Sequence, residues 1–527
     1  MKRIVSTVTV AAIIAAVLGG CGSKETTQGK MSGKEISYWV AMDTNVSTRI
    51  KSYNEVSMYK QREKDSGVHI NFIHPANGQE KEQFNLMIAS RDLPDIIEYN
   101  WSNYSGGIQK AIDDGIITAL NDYMQSAPNF KAALENKNEL SDIYRKGSLT
   151  DEGDYFGFTT LNVGNYRVFG GPAIRKDWLD DLGLAVPETI DDWTAALTAF
   201  KEKKGADSPL TGMLSLLVTG NYSAFSGAFG VGNRWYIDGK TVKYGPVQDN
   251  YKDYLALLHS WYEAGLLDKD ISTNQQNLVD SKIINGNSGA LVNAYLGSGL
   301  GRYLKQMQTE DEKYNLIGAP YPVMKKGDIN KYPIMEGDVM KSSTAAITTA
   351  CRDVETAVEW MDYWYSDEGY KLMNFGVEGE SYDMIDNKPV YKDTILKNPD
   401  GLSINEALLL NCRATAPAPG FKQAPEYLEQ YYEFPQQIDA LKLWVENLED
   451  GRKTQLPNLM PSQEEAEEIA AIVTDLNTYV NEMVWKFITG EESLDKFDNF
   501  RNTMNEKFGL QRYAEMMQNQ YDRYLVR

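Results

Sequence analysis

Several residues pair a flat or charged side chain with a place where a strand should end. Trp39 and Asp43 follow the apolar run Ile36–Val40, and Asn100, Trp101 and Tyr104 follow the run ending at Glu98-Tyr99. Asn293 and Tyr295 close the run Ala290–Val292. Trp235 stands at a hairpin start after the glycine-rich stretch 227–232. In an open α/β lobe, ligands bind beyond the carboxyl ends of the strands. Flat aromatics cover the apolar C–H face of a pyranose ring, and Asp, Asn, Glu and Arg bond its hydroxyl rim, the charged partners more strongly. The chemistry available at these positions is therefore sugar binding. Each aromatic could equally fill a core. Trp178, Trp193, Trp261, Trp360, Trp364, Trp444 and Trp485 lie in helical patterns and are assigned to the interior.

Strand and helix patterns alternate around these positions. Ile36–Val40 reads as a strand, Asn54–Ser66 as a charged helix, Val68–Ile73 as an alternating half-buried strand and Gln79–Ser90 as an amphipathic helix. Asp92–Tyr99 is a turn feeding another strand, and such βαβ units predict a parallel sheet. A break falls near Arg167, where Tyr166 and Arg167 would open a second lobe. Beyond it, Ile190, Trp193, Leu197 and Phe200 repeat at helical spacing behind a capping Thr189. Trp235–Val242 predicts a hairpin turning on Asp238-Gly239. After residue 345 long helical patterns dominate, over Thr356–Phe375 and Glu464–Ile488.

Catalytic and metal signatures are missing. The histidines His69, His74 and His259 show no paired spacing, and no H-E-x-x-H motif occurs. The stretch 297–301, GSGLG, lacks a P-loop lysine, and 151–154, DEGD, is not an EF-hand loop. No cofactor is indicated, although a structural Ca²⁺ held by oxygens from distant loops stays open. Carboxylates are too numerous for a glycosidase pair to be picked out.

The remaining reactive group is Cys21. Two positive charges, Lys2 and Arg3, precede an apolar run strongest over Val8–Leu18. Two glycines and the cysteine follow. A charged start, a short apolar stretch and small residues make a secretory signal. The run is short for a membrane span. Leu18-Gly19-Gly20-Cys21 resembles the lipobox of bacterial lipoproteins. That resemblance implies removal of residues 1–20 and a lipid on Cys21, with 21–35 a flexible tether. Cys351 and Cys412 could pair or stay free.

The chain of 527 residues is too long for one core, so at least two lobes are expected. Its net charge of −21 argues against nucleic acid.

Met87–Ile97 (MIASRDLPDII), Ile174–Val186 (IRKDWLDDLGLAV), Trp261–Asp268 (WYEAGLLD), 286–292 (GNSGALV), Trp360–Asn374 (WMDYWYSDEGYKLMN), 376–382 (GVEGESY) and Phe487–Phe497 (FITGEESLDKF) together resemble the extracellular solute-binding proteins of ABC importers. The likeness is to the sugar-binding group that includes the maltose-binding protein, and specifically to long Gram-positive lipoproteins. It implies an α/β, two-lobed, periplasmic-binding-protein-like fold of type II, with a hinge and an extra helical C-terminal portion. Lobe one would comprise 36–165 and 312–345, and lobe two 166–311 and 346–527. It also implies a monomeric, non-catalytic receptor on the outer face of the membrane, held by the lipid on Cys21. Such a receptor captures an oligosaccharide between its lobes and delivers it to permease subunits. In that frame Tyr295 matches a stacking aromatic and Glu336 lies in a hinge-proximal loop. The rival readings are a receptor for peptide or another solute, a surface glycoside hydrolase, and an adhesin.

Overall fold

The structure is a computed structural model describing residues 33–527 except 137–138, 163–167, 223, 333–334, 337–339, 416–417 and 423. The strands in chain order are β1 (Glu35–Val40), β2 (His69–Ile73), β3 (Ile96–Asn100), β4 (Phe158–Asn162), β5 (Val168–Arg175), β6 (Leu210–Thr211), β7 (Trp235–Asp238), β8 (Thr241–Tyr244), β9 (Ala290–Tyr295), β10 (Leu316–Gly318), β11 (Met335–Glu336), β12 (Met340–Ile347), β13 (Tyr382–Ile385), β14 (Lys388–Tyr391) and β15 (Gly420–Lys422).

Two principal sheets result. The first runs β15-β4-β12-β3-β1-β2, and the second β10-β5-β9-β6 with β11 also on β5. In the first, β1 lies parallel to both β2 and β3. The helices Ser57–Ser66 and Glu80–Ser90 make the two crossovers that parallel pairing requires. β2 alternates exposed and buried residues, and β1 buries most of its length. In the second sheet, β5 is antiparallel to β9 and β10. The helix Ile190–Lys204 begins at the predicted Thr189, whose hydroxyl and Asp192 form a reciprocal cap, and stops at Gly205.

The strand pairing departs from the expected lobe boundaries. β10 and β11 fall within 312–345 yet pair with β5 of the second sheet. β12 lies between β3 and β4 of the first sheet and runs past residue 345. The segment after it belongs with the first lobe too. Trp360 packs edge-on to Tyr38 of β1, with centroids 5.9 Å apart, and β15 pairs with β4. Only with the helix Pro435–Val445 does the chain rejoin the second sheet. There Trp444 Nε1 donates to the carbonyl of Ala319 at 2.8 Å. Register partners fixed this assignment, and they lie hundreds of residues apart.

The later helices differ in one respect from their pattern. Thr356–Phe375 is broken at Ser366, whose hydroxyl caps the new helix Asp367–Phe375. The helix Gln463–Thr489 is continuous and lies on Asp249–Glu263 of the second lobe, where His259 Nδ1 meets the carbonyl of Ile488 at 3.1 Å. Cys351 and Cys412 are both buried free thiols. Burial pushes each thiol up to about 12.

Candidate ligand-binding cleft

β3 ends at Asn100, and its side chain caps the tight turn Trp101–Asn103 by accepting from Ser102 N at 3.1 Å. Past this turn lies a cleft of about 710 Å³. Its first wall is Asn100, Ser102 and the helix Glu139–Ser148. The facing wall is the start of the β7–β8 hairpin, with Asn233, Trp235 and Tyr236. The loop after the helix Leu448–Thr454, together with Tyr521 and Tyr524 from the helix Leu510–Val526, closes the side.

Each wall is held by identifiable contacts. Trp235 is half-buried and wedged between Tyr244 and Tyr513, at centroid distances of 4.7 and 4.9 Å. Tyr236 meets Tyr332 edge-on at 5.2 Å, and burial raises its hydroxyl well above the usual phenol range. Arg234 donates to the carbonyl of Thr219, to Tyr244 Oη and to Asn481 Oδ1 at 2.8, 2.7 and 2.5 Å. It thereby staples the hairpin to the long helix. The backbone is pressed equally close, because a Cβ at Gly245 would lie 1.7 Å from the carbonyl oxygen of Gly232. Asn233 is wholly buried and donates to the carbonyl of Leu217 at 3.0 Å. Its Oδ1 has no hydrogen-bond partner among the described residues. A buried acceptor left unpaired is costly unless something completes it.

Of the expected site residues, Asn100 and Trp235 meet in this cleft. Trp39 and Trp101 do not. Trp39 is 4% exposed and packs on Tyr99 and Phe84, and Trp101 is 1% exposed with its Nε1 donating to the carbonyl of Thr344 at 3.2 Å. A ring covered on both faces cannot stack on a sugar, so both belong to the core of the first lobe. Tyr104 is likewise buried, and its hydroxyl is committed to Asp114 Oδ2 at 2.8 Å. Asp43 accepts from the backbone and side chain of Asn45, both at 2.9 Å, and so stabilises its own turn. Tyr295 lies parallel to Phe169 at 5.9 Å, on the second sheet and off this cleft. Glu336 pairs in β11 with Val168. Tyr166, Arg167 and Cys21 fall outside the described residues.

Asn233, Tyr236, Tyr332, Arg452, Tyr521 and Tyr524 were not anticipated. The run Asn233-Arg234-Trp235-Tyr236, two polar residues followed by two aromatics, carried a signal for the first two. The others reach the cleft from distant helices and leave no local trace. His74, which could have suggested chemistry, is structural: Nδ1 meets the carbonyl of Val40 at 2.8 Å and Nε2 accepts from Tyr53 N at 3.2 Å. Among the described residues no group of three or more His, Cys, Asp or Glu side chains is arranged to hold a metal ion.

One set of contacts ties the lobes together beside the cleft. Arg523 and Arg527 both donate to Asp151, at 2.6 and 2.7 Å, and Lys146 Nζ donates to the carbonyl of Leu525 at 3.2 Å. Lys146 and Asp151 belong to the first lobe. The same helix holds the hairpin through Gln518, which accepts from Val242 N at 2.8 Å. Replacing Asp151 with Ala should cost about 1–3 kcal/mol, because it strands the nearly buried Arg527 guanidinium. Amide exchange should quicken over 142–155 while β2 stays protected. An unchanged melting temperature and exchange pattern would show that the strap carries no load.

The sequence model of the bacterial extracellular solute-binding proteins matches residues 49–371. The chain belongs to that family. It is 25% identical to the fructooligosaccharide ABC transporter substrate-binding protein FusA of Streptococcus pneumoniae, over 97% of this chain and 96% of that one. It is 22% identical to the polygalacturonan/rhamnogalacturonan-binding protein YtcQ of Bacillus subtilis, over 71% and 72% of the two chains. Among solved structures, an HMO-binding, ABC-transporter-associated solute-binding protein of Bifidobacterium longum infantis superposes with a TM-score of 0.73 at 17% identity, covering 94% of this chain and 99% of that one. The alginate-binding protein AlgQ2, without calcium ion, gives 0.68 at 23% identity, over 95% and 100%. These likenesses agree with the two-lobed α/β fold.

Proposed function

We propose that this protein is the receptor subunit of an ABC importer and captures an oligosaccharide in the cleft between its lobes. The observation that supports this reading is the convergence of Asn100 from the first sheet with Asn233, Trp235 and Tyr236 from the second lobe on one cleft. The half-buried amphipathic ring of Trp235 is what the apolar face of a sugar would cover. Because the walls belong to different lobes, a ligand touching both stabilises the closed arrangement, and it can do so only by binding that state better than the open one. The function is capture and release rather than catalysis. The lipid on Cys21 would keep the receptor at the outer face of the membrane beside its permease, acting as a monomer.

A thermal-shift screen against oligosaccharides and peptides tests the reading, since a ligand that binds only the folded state raises the melting point. Peptides alone shifting it would replace the sugar assignment. Trp235→Ala should weaken sugar binding about tenfold, equivalent to ~1.4 kcal/mol, and Trp235→Phe should restore most of it. Equal calorimetric affinity in the alanine variant would remove Trp235 from the site.

A further inference from the structure

The oligosaccharide reading can be narrowed by charge. The chain carries 74 acidic and 53 basic residues, yet its cleft inverts that balance. The charged side chains lining it are Lys146, Arg452, Lys453 and the single carboxylate Asp142. That carboxylate is already matched, with Lys146 at 3.0 Å and Arg145 at 2.8 Å. Burial opposes its charge, but these two bonds outweigh burial and hold its carboxyl below the usual range. Arg452 and Lys453 come from the other side, on the last turn of the helix Leu448–Thr454. The negative end of the helix dipole favours cations there, which accounts for their stability but not for their facing the cleft. Lys453 is two-thirds exposed and bonds Asp450 one turn back at 3.2 Å. An exposed pair of this kind is weak and is given up readily.

From this arrangement we infer that the cleft takes an anionic oligosaccharide, one bearing carboxylates or sulfate esters, rather than a neutral one. The inference rests on the sugar-binding reading above. Neutral hydroxyls take carboxylate partners as readily as arginine, whereas the lining offers no carboxylate beyond the matched Asp142 and sets Arg452 and Lys453 side by side on one turn. A cleft whose charged lining is mostly of one sign draws in the opposite sign. An arginine guanidinium and a lysine ammonium suit carboxylate and sulfate oxygens alike.

The test is calorimetry on the whole protein with matched sugars. Oligomers of galacturonate, mannuronate and glucuronate are each compared with their methyl esters, and a sulfated galactan oligomer with its unsulfated counterpart. At about 0.05 M NaCl at least one charged member should bind about tenfold more tightly than its partner, and the gap should narrow at about 0.5 M as screening shortens. Whether the uronates or the sulfated oligomer responds identifies the anionic group. Lys453→Gln should reduce the charged sugar's affinity several-fold and the neutral sugar's by less, with the melting temperature unchanged. If no pair favours its charged member, the inference is overturned, while neutral sugar binding would leave the capture reading intact. If no oligosaccharide of either kind binds and peptides do, both fall.

Discussion

Replacing Glu98 with Ala should destabilise the protein by about 3–5 kcal/mol. Glu98 lies on β3 inside the first sheet, and its side chain and that of its partner Arg413 are each 3% exposed. Arg413 Nη2 donates to Glu98 Oε1 at 3.2 Å, and Tyr38 Oη donates to Oε2 at 2.8 Å. The guanidinium also donates to Tyr59 Oη at 3.1 Å and stands 4.6 Å over the ring of Tyr53. Deleting the carboxylate leaves a charge in the core that water cannot reach. That penalty, rather than the Coulomb attraction itself, sets the size of the effect. Arg413→Ala should cost a comparable amount for the converse reason. Exchanging both partners together for Leu and Met should recover much of the loss, since no buried charge then remains. Denaturant titration of the three variants decides it, and a single variant as stable as the parent would show that the pair is hydrated.

Trp101→Ala should likewise cost about 3–5 kcal/mol through the cavity it opens. Its ring packs edge-on to Phe84 at 5.4 Å, and its Nε1 bond to Thr344 ties the turn after β3 to β12. The protein that remains folded should bind ligand with unchanged affinity, because the ring faces the core. Loss of binding at an unchanged melting temperature would be the opposite result and would restore Trp101 to the cleft.

This contrast shows what local sequence could and could not reveal. Periodicity and capping located β1, β2 and the helix Ile190–Lys204, because each is set by neighbours a few residues away. The Asp238-Gly239 hairpin was legible for the same reason, its strands pairing from Trp235–Tyr244 to Asp238–Thr241. Trp39 and Trp101 were legible as aromatics near strand ends, but not in their direction. The turn capped by Asn100 folds Trp101 back under the sheet, and nothing in its immediate neighbours distinguishes that from a ring turned outward. Strand partnership was similarly hidden: β10 looks no different as a string of residues whether it pairs with β4 or β5. The half of the site carried by Arg452, Tyr521 and Tyr524 depends on helices meeting across the whole chain.

The place of β12 between β3 and β4 has a consequence for how the molecule is made. During synthesis those two strands emerge early, with nothing between them, and the strand that joins them follows only after the entire second sheet through β11. Until then the first lobe has two open edges, each able to pair with another chain. Contacts of such long sequence separation form slowly. The second sheet, whose strands fall between 168 and 336, can pair first. The nascent first half is therefore the stage most exposed to aggregation, and a chain cut off before residue 340 should be a substrate for chaperones and proteases rather than a folded half-receptor.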